Sequence, residues 1–287
     1  MRLARAQQLA GRDCQLDLAQ PCIMGVLNIT PDSFSDGGQY LDVELAVKRG
    51  MEMQQSGAAI LDIGGESTKP GSLPVSAEEE LARVIPVIEG LRRKTGLPLS
   101  IDTSKALVAQ QAVAAGANFI NDISGLSFDP EMSKVAAAMG AGLFLMHTSG
   151  RPDVMQKHTE YQNLLAEVIS SLRQSIDLAL EAGVERSRLA VDPGIGFGKS
   201  VLGNLDLLHH VDELHQLECP VLLGTSRKSF IGEILDQDDP QERLFGTLST
   251  VALGVHQGVQ IFRVHDVRPA RETALVAWAI REQQLPY

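Results

Sequence analysis

Aromatic side chains are scarce in this chain, at 4% of 287 residues with a single tryptophan. Large rings therefore cannot dominate the core. Small and branched aliphatic residues must fill it, as they do where parallel strands pack against helices. Cysteine is scarce as well. Cys14, Cys22 and Cys219 are odd in number and widely spaced, and none stands in a C-x-x-C pair. This excludes a disulfide framework and a cysteine zinc site, and it points to a reduced, cytoplasmic chain. No apolar run approaches the roughly 20 residues of a membrane span. The N-terminal stretch carries Arg2, Arg5 and Arg12 without the continuous apolar segment of a signal peptide. Positive charge is in deficit: 25 Lys and Arg against 36 Asp and Glu give a formal net charge of -11. That balance argues against a nucleic-acid partner, whose phosphates need a basic surface. A small anionic substrate is still admissible, because a few cations focused in one cleft can hold it.

What is present is a rhythm. Apolar runs at 22–27, 59–63, 97–101, 118–121, 142–146, 188–191, 220–223 and 259–264 each give way to a polar, Gly-rich loop. Helical patterns follow at 43–56, 77–94, 106–115, 131–139, 161–182, 204–216, 241–256 and 268–283. Strands apolar on both faces that alternate with helices imply a parallel sheet. Eight such units imply an α/β fold of the (β/α)8 TIM-barrel type, with an open doubly wound sheet as the alternative. No linker divides the chain, so one domain is expected over 1–287, with 1–20 as a lead-in.

A barrel places its chemistry at the C-terminal ends of its strands. The unusual polar residues fall there: Asn28, Gly64-Gly65-Glu66, Asp102-Thr103-Ser104, Asn121-Asp122, His147, Asp192, Thr225-Ser226-Arg227-Lys228, and Arg263 with His265. Singly, most have plainer readings. Asp102 and Asp122 precede residues that suit helix caps. His147 beside an apolar strand is more often structural. His158, His209, His210 and His215 lie in polar helical contexts and read as solvated. Glu78-Glu79-Glu80 reads as a first helical turn favoured by the macrodipole. Met146 reads as core unless a flat ligand ring lies on it, and Trp278 reads as packing. The cations after the seventh and eighth strands resist such readings, because those loops form the usual phosphate site of the fold.

These motifs resemble the bacterial dihydropteroate synthase family from about residue 22 to about residue 279. They are MGVLNITPDSFSDGG (24–38), DIGGESTKPG (62–71), SIDTSK (100–105), INDISG (120–125), LMH (145–147), DPGIGFGK (192–199), GTSRKSFIG (224–232) and RVHDV (263–267). The resemblance implies condensation of 6-hydroxymethyl-7,8-dihydropterin pyrophosphate with 4-aminobenzoate in folate biosynthesis. It implies Mg2+ on Asn28 and a pterin pocket of Asp102, Asn121, Asp192 and Lys228, with Ile123, Met146 and Phe197 on the ring faces. Arg263 and His265 are implied for the pyrophosphate, and Phe34, Thr68, Pro70, Ser226 and Lys228 for 4-aminobenzoate. Asp102, Lys228, Arg263 and His265 are the expected catalytic groups. Sulfonamide sensitivity is implied too, as is a homodimer built through later helices, where Phe245, Leu248 and Trp278 are candidates for exposure.

Two positions depart from the family pattern. Lys69 stands where arginine is common and lacks the planar fork, and the loop after the fifth strand reads Thr148-Ser149-Gly150-Arg151-Pro152. The competing expectations are a methyltetrahydrofolate-dependent methyltransferase-like barrel and a non-catalytic pterin-binding paralogue.

Overall fold

The computed structural model describes residues 5–29, 39–69 and 71–286. Phe34 and Pro70, both expected at the site, lie outside the described residues. The described chain opens with an antiparallel hairpin, β1 (Gln8–Gly11) and β2 (Cys14–Asp17). Eight parallel strands follow: β3 (Cys22–Asn28), β4 (Ile60–Gly64), β5 (Leu99–Asp102), β6 (Phe119–Asp122), β7 (Gly142–Met146), β8 (Leu189–Asp192), β9 (Leu222–Leu223) and β10 (Ile261–Val264). Their order is β8-β7-β6-β5-β4-β3-β10-β9. A parallel bridge between Val191 and Val221 brings the two ends together, so the sheet closes into the expected barrel.

The outer ring is α1 (Gln39–Gln55), α2 (Ala77–Arg92), α3 (Ala106–Ala115), α4 (Met132–Met139), α5 (Leu164–Glu181), α6 (Val201–His209), α7 (Ser229–Leu235), α8 (Leu244–Gln257) and α9 (Val267–Glu282). Local chemistry sets several boundaries. Ser76 accepts the Glu79 N–H and caps α2, and Asn163 caps α5 through the Ala166 N–H. The expected helix at 204–216 is in fact α6 followed by 3-10 turns over Val211–Leu217. The short α7 was not expected.

Side chains alternate along a strand, so one file of each barrel strand points inward. These files change character with height. Near the base they supply Met24, Ile60, Phe119, Phe144, Ala190, Leu222 and Ile261, which form a cluster with Leu9 and Leu16 of the hairpin. Two residues further along the same strands stand Asp62, Asn121, Met146, Asp192, Gly224 and Arg263. The hairpin therefore plugs an apolar base and leaves a polar upper half. Gly142 belongs to this arrangement, because a Cβ there would meet the Phe119 ring at 2.3 Å.

Some sequence readings change here. His215 is buried, not solvated, and Trp278 is buried with its indole N–H donating to Ala19 O at 2.9 Å. Leu248 packs partly against the core, whereas Phe245 is 79% exposed. Glu78 and Glu79 are exposed as expected, but Glu80 turns inward and receives Lys105 Nζ at 2.7 Å. Burial of this carboxyl raises its pKa, against the opposing pull of Lys105.

Candidate active site

The deepest polar feature of the barrel is a pair of carboxylates sharing one guanidinium. Arg263 on β10 donates through Nε to Asp62 Oδ2 on β4 and through Nη2 to Asp102 Oδ2 on β5, each at 2.6 Å. Asn121 on β6 donates through Nδ2 to the same Asp62 oxygen at 3.0 Å. Four strands thus meet in one network. Burial raises Asp102 to about 7 in spite of Arg263, and neighbouring Asp62 adds to the rise. Burial works against the Arg263 charge, but Asp62 and Asp102 outweigh it and hold the guanidinium above its ordinary value. Two carboxylate oxygens, Asp62 Oδ1 and Asp102 Oδ1, are buried without a partner among the described residues. Such atoms are costly unless a donor arrives to meet them.

Asp192 ends β8 beside this network. Its Oδ1 accepts the Gly194 N–H at 2.7 Å. Burial raises its pKa, while Lys228, the Gly194 N–H and Arg263 lower it. Lys228 follows β9, and its Nζ donates to Ile195 O and lies 4.4 Å over the Phe197 ring. Burial lowers Lys228 to about 8, with Asp192 resisting. Met146 ends β7, and both Met146 and Ile123 are buried at this level. The loop carrying Phe197 depends on glycine. Gly194 has φ +68, and a Cβ there would lie 1.9 Å from His147 O. No other residue fits that approach.

The opposite side of the rim holds Asn28 and His265. Both line a cleft of about 450 Å³ that also takes in Lys48, Arg49, Glu52 and Arg227. Ser226 Oγ accepts the His265 N–H at 3.2 Å and lies 3.0 Å from His265 Nδ1. If the hydroxyl donates to Nδ1, the ring proton sits on Nε2. Burial, reinforced by Arg263, lowers His265 to about 4, so the ring is neutral at pH 7. Arg227, expected to join the cationic set, instead makes a fork with Asp266 at 3.0 and 2.8 Å. Thr68 lies in the loop after β4, lining a smaller cavity with Asp102, Ile123, Phe128 and Arg151.

The cap readings divide. Asp122 is local scaffolding, because it accepts from Ser124 N and Leu126 N at 2.8 Å. Asp102 caps nothing, since the N–H of Ala106 goes to Asp129. Asp62 escaped sequence reading as a site residue. Its signal was a carboxylate in the middle of an otherwise apolar strand.

A closed barrel, buried carboxylates with open oxygens and a lysine stacked on a phenylalanine define an enzyme that binds a flat, donor-rich heterocycle at its strand ends. The family model described as pterin binding enzyme matches residues 24–265. The dihydropteroate synthase of Synechocystis is 48% identical over 258 residues, covering 90% of this chain and 89% of the relative. Xanthomonas albilineans dihydropteroate synthase with 4-aminobenzoic acid is 43% identical with a TM-score of 0.91, over 98% of this chain and 100% of that one. The same enzyme in complex with 7,8-dihydropteroate is 41% identical with a TM-score of 0.87, over 97% and 100%. The chain belongs to the dihydropteroate synthase family.

Proposed function

We infer that this barrel catalyses the dihydropteroate synthase reaction, joining 6-hydroxymethyl-7,8-dihydropterin pyrophosphate to 4-aminobenzoate with release of pyrophosphate. The carrying observation is the polar upper barrel, where Asp192 and Asp102 offer carboxylate oxygens on either side of Arg263 while Lys228 lies on Phe197. A pterin edge presents a ring N–H beside an amino group, which suits a bidentate bond to Asp192. Asp102 Oδ1 accepts a further ring donor, and Asn121 and Lys228 meet the remaining edge. Ile123, Met146 and Phe197 enclose the ring faces. The relatives named above support this reading rather than a methyltransferase or a non-catalytic paralogue.

The pyrophosphate fits the Asn28 side of the rim. Neutral His265 donates from Nε2, and Arg263 adds charge from a position already fixed by two carboxylates. The donor set suits Mg2+. Asn28 is a neutral oxygen ligand, and Mg2+ takes its other oxygens from water and substrate phosphates. Bound there, Mg2+ would supply charge neutralisation on the leaving pyrophosphate. As the bond from the pterin methylene to oxygen lengthens, His265 and Arg263 stabilise the developing anion. Asp102 and Asp192 favour the positive charge shared by the pterin, which suits a dissociative path. The arylamine is neutral at pH 7 and needs placement by Thr68, Ser226 and Lys228 more than a base. Phe34 and Pro70 belong to the same expectation.

We further propose one barrel domain and a cytoplasmic homodimer. Leu202 on α6 and Phe245 and Leu253 on α8 are 77%, 79% and 62% exposed, apolar side chains that a partner would cover. No described helix is long and apolar enough to cross a membrane. The test is pyrophosphate release from both substrates with Mg2+. Wild type should turn over, Lys228→Ala should lose most of the rate, and a sulfonamide should compete with 4-aminobenzoate. No release by the wild type would sink the reading.

A further inference from the structure

Lys199 closes the DPGIGFGK motif, and no role in the reaction follows from that position. Its side chain runs inward and is 4% exposed. The ammonium meets three acceptors: His147 Nδ1 at 2.9 Å, Phe197 O at 2.9 Å and His147 O at 3.4 Å. A protonated lysine has three donors, so the cage matches the charged form; burial, then Lys228, lowers the ammonium to about 7, and the three acceptors and Asp192 work against that fall. Acceptance at Nδ1 leaves the His147 ring proton on Nε2. The two loops so joined are those after β7 and β8, on which the pterin pocket depends. His147 also donates its backbone N–H to Asp192 O at 3.0 Å, and its carbonyl is the group that packs onto Gly194.

We propose that Lys199 is a positioning residue of the pterin pocket: its buried ammonium ties His147 to the carbonyl of Phe197, which sets the Phe197 ring against Lys228. The proposal rests on the pterin reading of the site given above. Lys199 touches no reacting atom. It acts through Phe197, whose ring carries Lys228 at 4.4 Å.

The loop has other ties, which sharpens what Lys199 contributes. Gln156 Nε2 donates to Gly196 O at 2.8 Å, the Gly196 N–H donates to Asn204 Oδ1 at 2.6 Å, and Tyr161 donates to Gly198 O at 2.8 Å. These hold the flanking glycines from outside. Among the described residues, only Lys199 donates a side-chain hydrogen bond to the Phe197 carbonyl. The charge is placed to matter as well. Lys228 beyond β9, Arg263 on β10 and Lys199 on its own loop each act electrostatically to lower the Asp192 pKa, as does the Gly194 N–H that it accepts. Removal of one cation from this set makes the ionised carboxylate less favourable.

The test uses the full-length protein and 6-hydroxymethylpterin as the binding probe, followed by fluorescence. Lys199→Met should weaken the probe about tenfold, the worth of a lost charged hydrogen bond, and leave the KM for 4-aminobenzoate within about twofold. The acid limb of probe binding should move to higher pH, because Asp192 then protonates more readily. His147→Asn, whose amide oxygen replaces Nδ1, should retain affinity, whereas His147→Leu should lose it without removing the lysine. Unchanged probe affinity and an unmoved acid limb in Lys199→Met would overturn the proposal. So would equal losses for both substrates in step with the melting temperature. If Lys199→Met does not fold, the His147 pair decides: equal probe affinity in the two overturns it. Asp192→Asn separates the two claims. If it binds the probe normally the pterin reading fails, and if it alone loses binding only the role of Lys199 fails.

Discussion

Nη2 of Arg263 and Oδ2 of Asp102 meet at 2.6 Å although 161 residues separate them in the chain. The same guanidinium holds Asp62, so one cation serves two buried acids. Removal of the cation leaves both carboxylates uncompensated. Arg263→Met should therefore cost about 3–5 kcal/mol, the usual penalty for breaking a buried pair. Arg263→Lys keeps the charge but cannot bridge both acids with one planar fork, and should fall between. Urea denaturation measures both. A loss under about 1 kcal/mol in Arg263→Met would contradict the assignment of this arginine as a structural clasp.

Buried histidines give the fold an acid limit. Burial, then Lys199, lowers His147 to about 3 from 6.5. The unfolded chain takes this proton below pH 6.5 while the native ring refuses it, so its contribution is full above that pH and declines as pH falls. Buried carboxyls such as Asp102 act in the opposite sense, since the native state keeps a proton that the unfolded chain has released. A comparison of variants isolates the histidine term. From pH 8 to pH 5 the wild type should lose roughly 2 kcal/mol more than His147→Asn. Parallel stability curves for the two proteins would refute this.

Gly194 has two separate demands on it, a φ of +68 and a backbone carbonyl 1.9 Å from the position of a Cβ. Because the obstruction is backbone, no rotamer relieves it. Gly194→Ala should destabilise by at least about 3 kcal/mol and should impair probe binding even where the protein still folds. Thermal melting and pterin fluorescence are the measurements.

Asn28 supplies a single metal ligand in the proposed site. Chelation should abolish pyrophosphate release, and added Mg2+ should restore it. Asn28→Ala should raise the Mg2+ concentration for half-maximal rate roughly tenfold, equivalent to about 1.4 kcal/mol. The KM for 4-aminobenzoate should stay level. A Mg2+ dependence identical to wild type would remove Asn28 from the metal site.

The barrel was legible because its strands are apolar on both faces and its helices carry clear periodicity. The 142–146 strand and the 106–115 helix match their observed bounds to the residue. The hairpin was not legible. QLAG and CQLD are too short and too mixed to show a period, and their fit depends on Phe119 more than a hundred positions away. Asp102, Asn121, Asp192, Lys228 and Arg263, singled out in the sequence by residue type and strand end, stand together at one end of the barrel. Partnership was hidden, because Asp62 with Arg263 and Lys199 with His147 lie far apart in sequence and meet only when their strands assemble into the sheet. His215 was misread for a similar reason: its polar sequence neighbours say nothing of the helices that cover it.

The hairpin at the base has one more effect. With Leu9 and Leu16 packed over Phe119 and Phe144, the barrel is a blind vessel with a single mouth. Everything that enters must leave past whatever came after it. On the function proposed above, a pterin seated against Asp192 and Asp102 occupies the floor, and the arylamine arrives above it as a stopper. Traffic through the site is then a matter of sequence in time: the fused product must rise as one body, and the floor cannot be refilled until the mouth has cleared.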